Sequence, residues 1–139
     1  MGRNGSSPEK FFTPQEEIAY LRGKVLEREE ELTARKEKFG REGVISQALS
    51  EHKIMSPEEA LARPVGEGER QAIVLDLKPK STDAKIEELL GILEDKGLLN
   101  TLKIIEKMGE AALEDDFHRV LIQYVKKNLP VSGLKEKSP

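Results

Sequence analysis

A chain of 139 residues holds one modest domain with an appendage and excludes two large ones, because most domains take about 100 to 150 residues. Charged residues make up 35% and aromatics 4%, with no tryptophan, so much of the chain has to be solvated helix surface. The 26 acids and 23 bases are interleaved, giving a net charge of −3, and cysteine is absent; this disfavours dedicated nucleic-acid or anionic-lipid binding and excludes disulfide scaffolds and thiolate metal sites.

Residues 1–12 are rich in Gly, Ser and Asn and are expected to be disordered as far as Phe11 and Phe12. They lack the apolar core of a secretory signal, and no window approaches the roughly 18 apolar residues needed to span a bilayer. A cytoplasmic location is the corresponding expectation.

A helix start follows. Thr13 and Glu16 have capping-box spacing, and Pro14 takes the first helical position, where its missing N–H costs nothing. The helix is predicted to run to about Phe39 and to stop near Gly40 and Gly43. Within it Ile18, Val25, Leu32 and Phe39 recur at intervals of seven, and Leu21 adds a d position to the a seam. Arg28 and Arg35 fall on the next two d positions and would have to snorkel out of a seam. In a parallel partner in register, Glu17 would face Arg22, Lys24 would face Glu29, and Glu31 would face Lys36. An antiparallel pairing would set Glu29 against Glu29. The alternative use of the same stripe is packing against the helix's own chain.

A second helix is predicted over residues 42–53, with Val44, Ile45, Ala48, Leu49 and His52 on one face. Ser56 and Glu59 repeat the capping-box spacing around Pro57, so a short helical turn is expected before Pro64. Residues 64–70, with Pro64, Gly66 and Gly68, read as a linker. They do not make a nucleotide loop, since no strand precedes them and Glu67 and Glu69 would repel phosphate. In residues 71–78, Ile73, Leu75 and Leu77 alternate with Val74 and Asp76, which predicts a strand or an extended apolar strap.

Residues 82–129 are expected to form a small bundle of three helices. Ile86, Leu89, Leu90 and Leu93 stripe the first, ended by Gly97; Leu98, Leu102, Ile105 and Met108 stripe the second, ended by Gly109. Leu113, Phe117, Val120, Leu121, Tyr124 and Val125 stripe the third. A unit this small needs further core, which Ile73, Leu75 or the Val44 to Leu49 face can supply. Residues 130–139 are expected to be a flexible tail, of the kind found where a chain is part of a longer protein.

Two chemical readings compete with protein binding. Asn100, Thr101, Lys103 and Lys107 lie on the second helix of a helix, Gly97, helix arrangement, as in helix-turn-helix DNA readers, although Glu106 sits among them. Glu114, Asp115 and His118 share a helix face, as carboxylate and histidine metal ligands do, but di-metal helical sites need that pair twice and two further carboxylates. No nucleophile elbow or cysteine pair appears, and no catalytic residue or cofactor is expected. The run from Gly97 to Val125, with Leu113-Glu-Asp-Asp-Phe-His-Arg-Val-Leu-Ile-Gln-Tyr-Val125, resembles helical segments of uncharacterised bacterial proteins, a resemblance that implies no function.

The expectation is therefore a mainly α protein: a long charged N-terminal helix with coiled-coil potential, a small three-helix bundle, and one short strand or extended segment between them. Its expected role is a non-enzymatic protein interaction or assembly module, binding a partner protein or a second copy in a parallel dimer. Ile18, Leu21, Val25, Leu32 and Phe39 would form the contact stripe; Glu17, Arg22, Lys24, Glu29, Glu31 and Lys36 would set orientation.

Overall fold

The computed structural model describes residues 10–130, and the expected disorder of the remaining terminal residues lies outside them. The described chain is mainly α, with helices α1 (Pro14–Ala34), α2 (Arg41–Lys53), α3 (Pro57–Ala60), α4 (Glu67–Leu77), α5 (Thr82–Lys96), α6 (Leu98–Met108) and α7 (Ala111–Lys127). None of these helices is long and apolar enough to cross a membrane.

The N-terminus of α1 forms as its sequence dictates. The Thr13 hydroxyl accepts the Glu16 N–H at 3.0 Å, and the Glu16 carboxylate reaches back to the Phe12 N–H at 2.8 Å, one residue earlier than a standard capping box. The C-terminus comes sooner than expected. α1 ends at Ala34, not near Phe39, because Lys36 takes a left-handed conformation with φ 59°. Its N–H then bonds Thr33 O while the Glu37 N–H bonds Leu32 O, the 5→2 and 6→1 pairs of a Schellman motif. A lysine in the place usually held by glycine is what hid this stop from the sequence.

α2 turns back along α1, and the end of that hairpin is clamped by Arg41, whose guanidinium donates to both oxygens of Glu29 at 2.8 and 2.7 Å. The twin bond to Glu29 holds the Arg41 pKa above its ordinary value against the opposing effect of burial. The short turn α3 follows, but Ser56 provides no cap: its hydroxyl donates to Glu58, and the expected capping box is not made.

The strand expected at residues 71–78 is a helix instead. α4 begins inside the supposed linker, at Glu67, with Glu67 and Glu69 opposing the dipole of its first turn. Arg70, Ile73, Val74 and Leu77 follow helical spacing and turn inward, while Leu75 stays mostly exposed. The same apolar residues satisfy both periods, and with no neighbouring strand to accept its backbone bonds the segment satisfies them internally by folding against α6.

Helix α6 lies at the centre, in contact with α1, α2, α4, α5 and α7. Leu98, Leu99, Ile104, Ile105 and Met108 are buried in it, together with the polar Asn100 and Thr101. The helix is strongly amphipathic, with Lys103, Glu106 and Lys107 on its outer side and the buried residues facing its neighbours. Glycines bound it: Gly97 at φ 102° and Gly109 in the left-handed region at φ 68°. The core is shared by the whole described chain, running from Ile18, Leu21 and Val25 through Val44, Ile45 and Leu49 to Leu77, Leu93, Phe117 and Val125. The face of α2 and the apolar side of α4 thus supply the core that α5, α6 and α7 lack alone.

Among the exposed ties between helices, two have shifted carboxyls. Glu42 of α2 accepts from Lys126 at 2.9 Å and Gln123 at 3.1 Å on α7, and Glu67 of α4 meets Lys107 of α6 at 2.7 Å. The hydrogen bonds from these lysines hold both carboxyls below the ordinary glutamate range. A lowered folded-state pKa means the ties contribute above the unfolded-state value and are lost as pH falls through the folded one. A carbonyl-detected NMR titration is expected to give both side chains midpoints below the ordinary glutamate value. Separately, Lys36→Gly is expected to stabilise the fold by about 1 kcal/mol in urea melts, by removing the left-handed penalty at the α1 stop.

Candidate functional site

The N-terminal half of α1 carries the most unusual chemistry of the molecule. Glu17, expected to face a partner, is 1% exposed. One carboxylate oxygen accepts the Leu98 N–H at 2.9 Å; the other accepts the Leu99 N–H at 2.8 Å and lies 2.6 Å from His52 Nε2. The carboxylate therefore satisfies two of the orphan donors at the start of α6, where the helix dipole favours negative charge. Gly97 makes the approach possible: a Cβ there would sit 2.6 Å from the same carboxylate.

Five residues along, Arg22 does the converse at the end of α7. Its guanidinium donates to Val125 O at 3.0 Å and Tyr124 O at 2.9 Å, two of the carbonyls that a helix C-terminus leaves without an internal partner. Burial lowers the Arg22 pKa from its ordinary value and raises that of the Tyr124 hydroxyl, which Glu94 raises further.

The remaining residues of the expected contact surface are divided by this arrangement. Ile18, Leu21 and Val25 are buried in the chain's own core, and Glu29 is held by Arg41. Leu32 is partly buried, Phe39 is exposed, Glu31 is exposed on the outer side of α1, and the Lys24 ammonium lies 5.8 Å from the centre of the Tyr20 ring. Lys36 is the left-handed residue past the helix end. Of the expected stripe, α1 therefore leaves only Leu32 partly accessible along its length, while Phe39 lies beyond the helix end.

The chemistry weighed for nucleic acid and metal is differently disposed. Asn100 and Thr101 are fully enclosed: the Asn100 side chain bonds Val65 N, Arg63 O and Lys96 O, and the Thr101 hydroxyl bonds Gly97 O. Lys103 pairs with Glu106 and Lys107 with Glu67. Of the residues weighed for a recognition helix, Asn100 and Thr101 are thus withdrawn from solvent, and Lys103 and Lys107 are engaged by carboxylates. Glu114 pairs with Lys53, and His118 Nε2 lies 2.8 Å from the Ser46 hydroxyl. No group of three or more potential ligands converges among the described residues. The Ser46 and His118 contact sets a hydroxyl against an imidazole nitrogen, and Ser46 stands in the interior of α2. The contact acts as a tie between α2 and α7.

Beside the Glu17 node the surface opens into a groove of about 510 Å³. One wall is the entry to α1, with Phe11, Phe12 and Pro14; the other is the segment Leu61, Pro64 and Val65, held in place by Asn100. Glu69, Asp95 and Lys96 form its charged end, with Lys96 3.3 Å from Glu69 and 3.6 Å from Asp95. Phe12 is 65% exposed at this rim. The sequence offered little to find the groove: Phe11 and Phe12 read as the end of a disordered stretch, and Leu61 to Val65 as the end of a short helical turn and the start of a linker. A second, smaller groove of about 240 Å³ shares Pro14 and Gln15 and reaches Arg22 and Tyr124.

No protein-family model, curated protein or solved structure shows significant similarity to the chain.

The Glu17 node gives a prediction. Glu17→Gln leaves one acceptor where two were used and sets an amide N–H against a backbone donor, so it is expected to cost about 2 to 4 kcal/mol in urea melts. Gly97→Ala displaces the same carboxylate, and the double variant should lose clearly less than the sum of the two single losses.

Proposed function

We propose that the chain is a non-enzymatic protein-interaction module that takes an extended segment of a partner protein in the groove between the α1 entry and residues 61–65. The observation that carries this reading is Phe12, a large apolar side chain left 65% exposed on the rim of an open groove where Phe11, Pro14, Leu61, Pro64 and Val65 alternate with polar and charged side chains. Exposed apolar surface next to a concavity with a few polar groups is the common form of a binding site. The use of Glu17, Arg22 and Glu29 inside the chain supports a partner at the groove over a second copy aligned along α1.

Selection of displayed random peptides on the full chain tests this directly. Enriched peptides are expected to lose about tenfold or more in affinity on Phe12→Asp, as for an aromatic anchor, and to be indifferent to Leu75→Asp on the exposed side of α4. Peptides that ignore Phe12→Asp, or the absence of any enrichment, would refute the reading.

A further inference from the structure

The only extended pairing among the described residues joins Phe11 to Leu61 in parallel. The Phe11 N–H donates to Ala60 O and the Ala62 N–H donates to Phe11 O, each at 2.9 Å. A carbonyl and an N–H two residues apart, both taken by one residue of the neighbouring segment, is how a parallel strand docks on an edge. The Phe11 ring sits 5.0 Å from the Tyr20 ring and 6.4 Å from the His52 ring, between centroids. Main-chain bonds of this kind accept any sequence, whereas the niche beside Tyr20 and His52 selects an aromatic side chain.

The segment is built to come away without unravelling α1. The cap of that helix is Thr13, beyond the paired residue, and its bond to Glu16 does not involve Phe11. Phe12 stays exposed and is tied back by the Glu16 carboxylate. Two backbone bonds and one half-buried ring, all of Phe11, hold residues 10 and 11, and the same Phe11 and Leu61 line the groove.

We propose that residues 10 and 11 are an intramolecular placeholder on the edge formed by residues 60–62, and that an extended partner segment with an aromatic side chain takes the Phe11 position when they release, with Phe12 kept on the rim by its bond to Glu16. This rests on reading the groove as a peptide site and adds the partner's chemistry and a means of regulation. The occupant is argued from the one seated there: an extended backbone in parallel register with a phenyl ring in the niche. The attached segment competes at the high effective concentration of a tethered ligand, so the intact chain admits a partner only when that competition is overcome.

The test uses the full chain, its Phe11→Ala variant and a five-residue peptide copying residues 10–14, followed by amide NMR. The peptide is expected to bind Phe11→Ala about tenfold or more tightly than the unaltered chain, since the tethered competitor is weakened. It should shift the Ala60 and Ala62 amides and the Tyr20 ring, and a peptide whose first phenylalanine is alanine should not. Equal binding to both proteins, or none to a folded Phe11→Ala, overturns the placeholder. Shifts at Arg63, Asp95 and Lys96 with Ala60 and Ala62 unmoved overturn it while leaving the groove reading intact; no shift in either region overturns both. Hydrogen exchange of the unaltered chain gives a check free of any variant. The Ala62 N–H should open locally, well below the free energy of global unfolding, and exchange only through global unfolding would overturn release of the segment.

Discussion

The fold depends on a single carboxylate placed where water cannot reach it. Glu17 brings α1, α2 and the start of α6 to one point, through two backbone N–H groups and His52. A buried charge is costly unless its acceptor capacity is filled, and here a helix N-terminus and an imidazole fill it. The arrangement also explains why Gly97 has no side chain. Its φ of 102° is unfavourable for other residues, and any Cβ would occupy the space of the carboxylate. One interaction thus fixes the identity of two residues 80 positions apart in sequence and the position of the most enclosed helix.

Arg22 gives α1 a second grip of opposite sign. An acid meets the positive end of α6 and a base meets the negative end of α7, so α1 is held by electrostatics as well as by Ile18, Leu21 and Val25. Charges that suggest an external partner in the sequence are, for these two residues, internal complements of helix ends. The groove lies at the outer margin of this framework, its walls supported by Asn100 and by the anchored entry to α1. A rigid support beneath a short, lightly held segment is a suitable basis for recognition at that edge.

How much was legible varies with the physical signal. The three C-terminal helices were readable because Gly97 and Gly109 punctuate a clear 3.6-residue pattern, and the start of α1 because Thr13, Pro14 and Glu16 give local capping chemistry. The end of α1 was not, since the Schellman turn uses Lys36 while the nearest glycines lie farther on. α4 was misread because Ile73, Val74, Leu75 and Leu77 fit two periods, and only the tertiary surface of α6 decides between them. The seven-residue spacing in α1 was a true signal of an apolar stripe, but nothing local distinguishes a stripe that meets its own chain from one that meets another. Glu17 and the groove were least legible, because each is assembled from segments far apart in sequence.

That separation has a consequence for how the chain is made. The bonds from Arg22 to Val125 and from Glu17 to Leu98 span 103 and 81 residues. Synthesis proceeds from the N-terminus, so α1 leaves the ribosome long before the helix ends it must grip exist. Throughout that interval Ile18, Leu21 and Val25 have α2 to pack on but lack α5 and α6, leaving part of an apolar stripe uncovered on a nascent helix dense in both signs of charge. The last turns of α7 supply the ends on which Arg22 closes the structure.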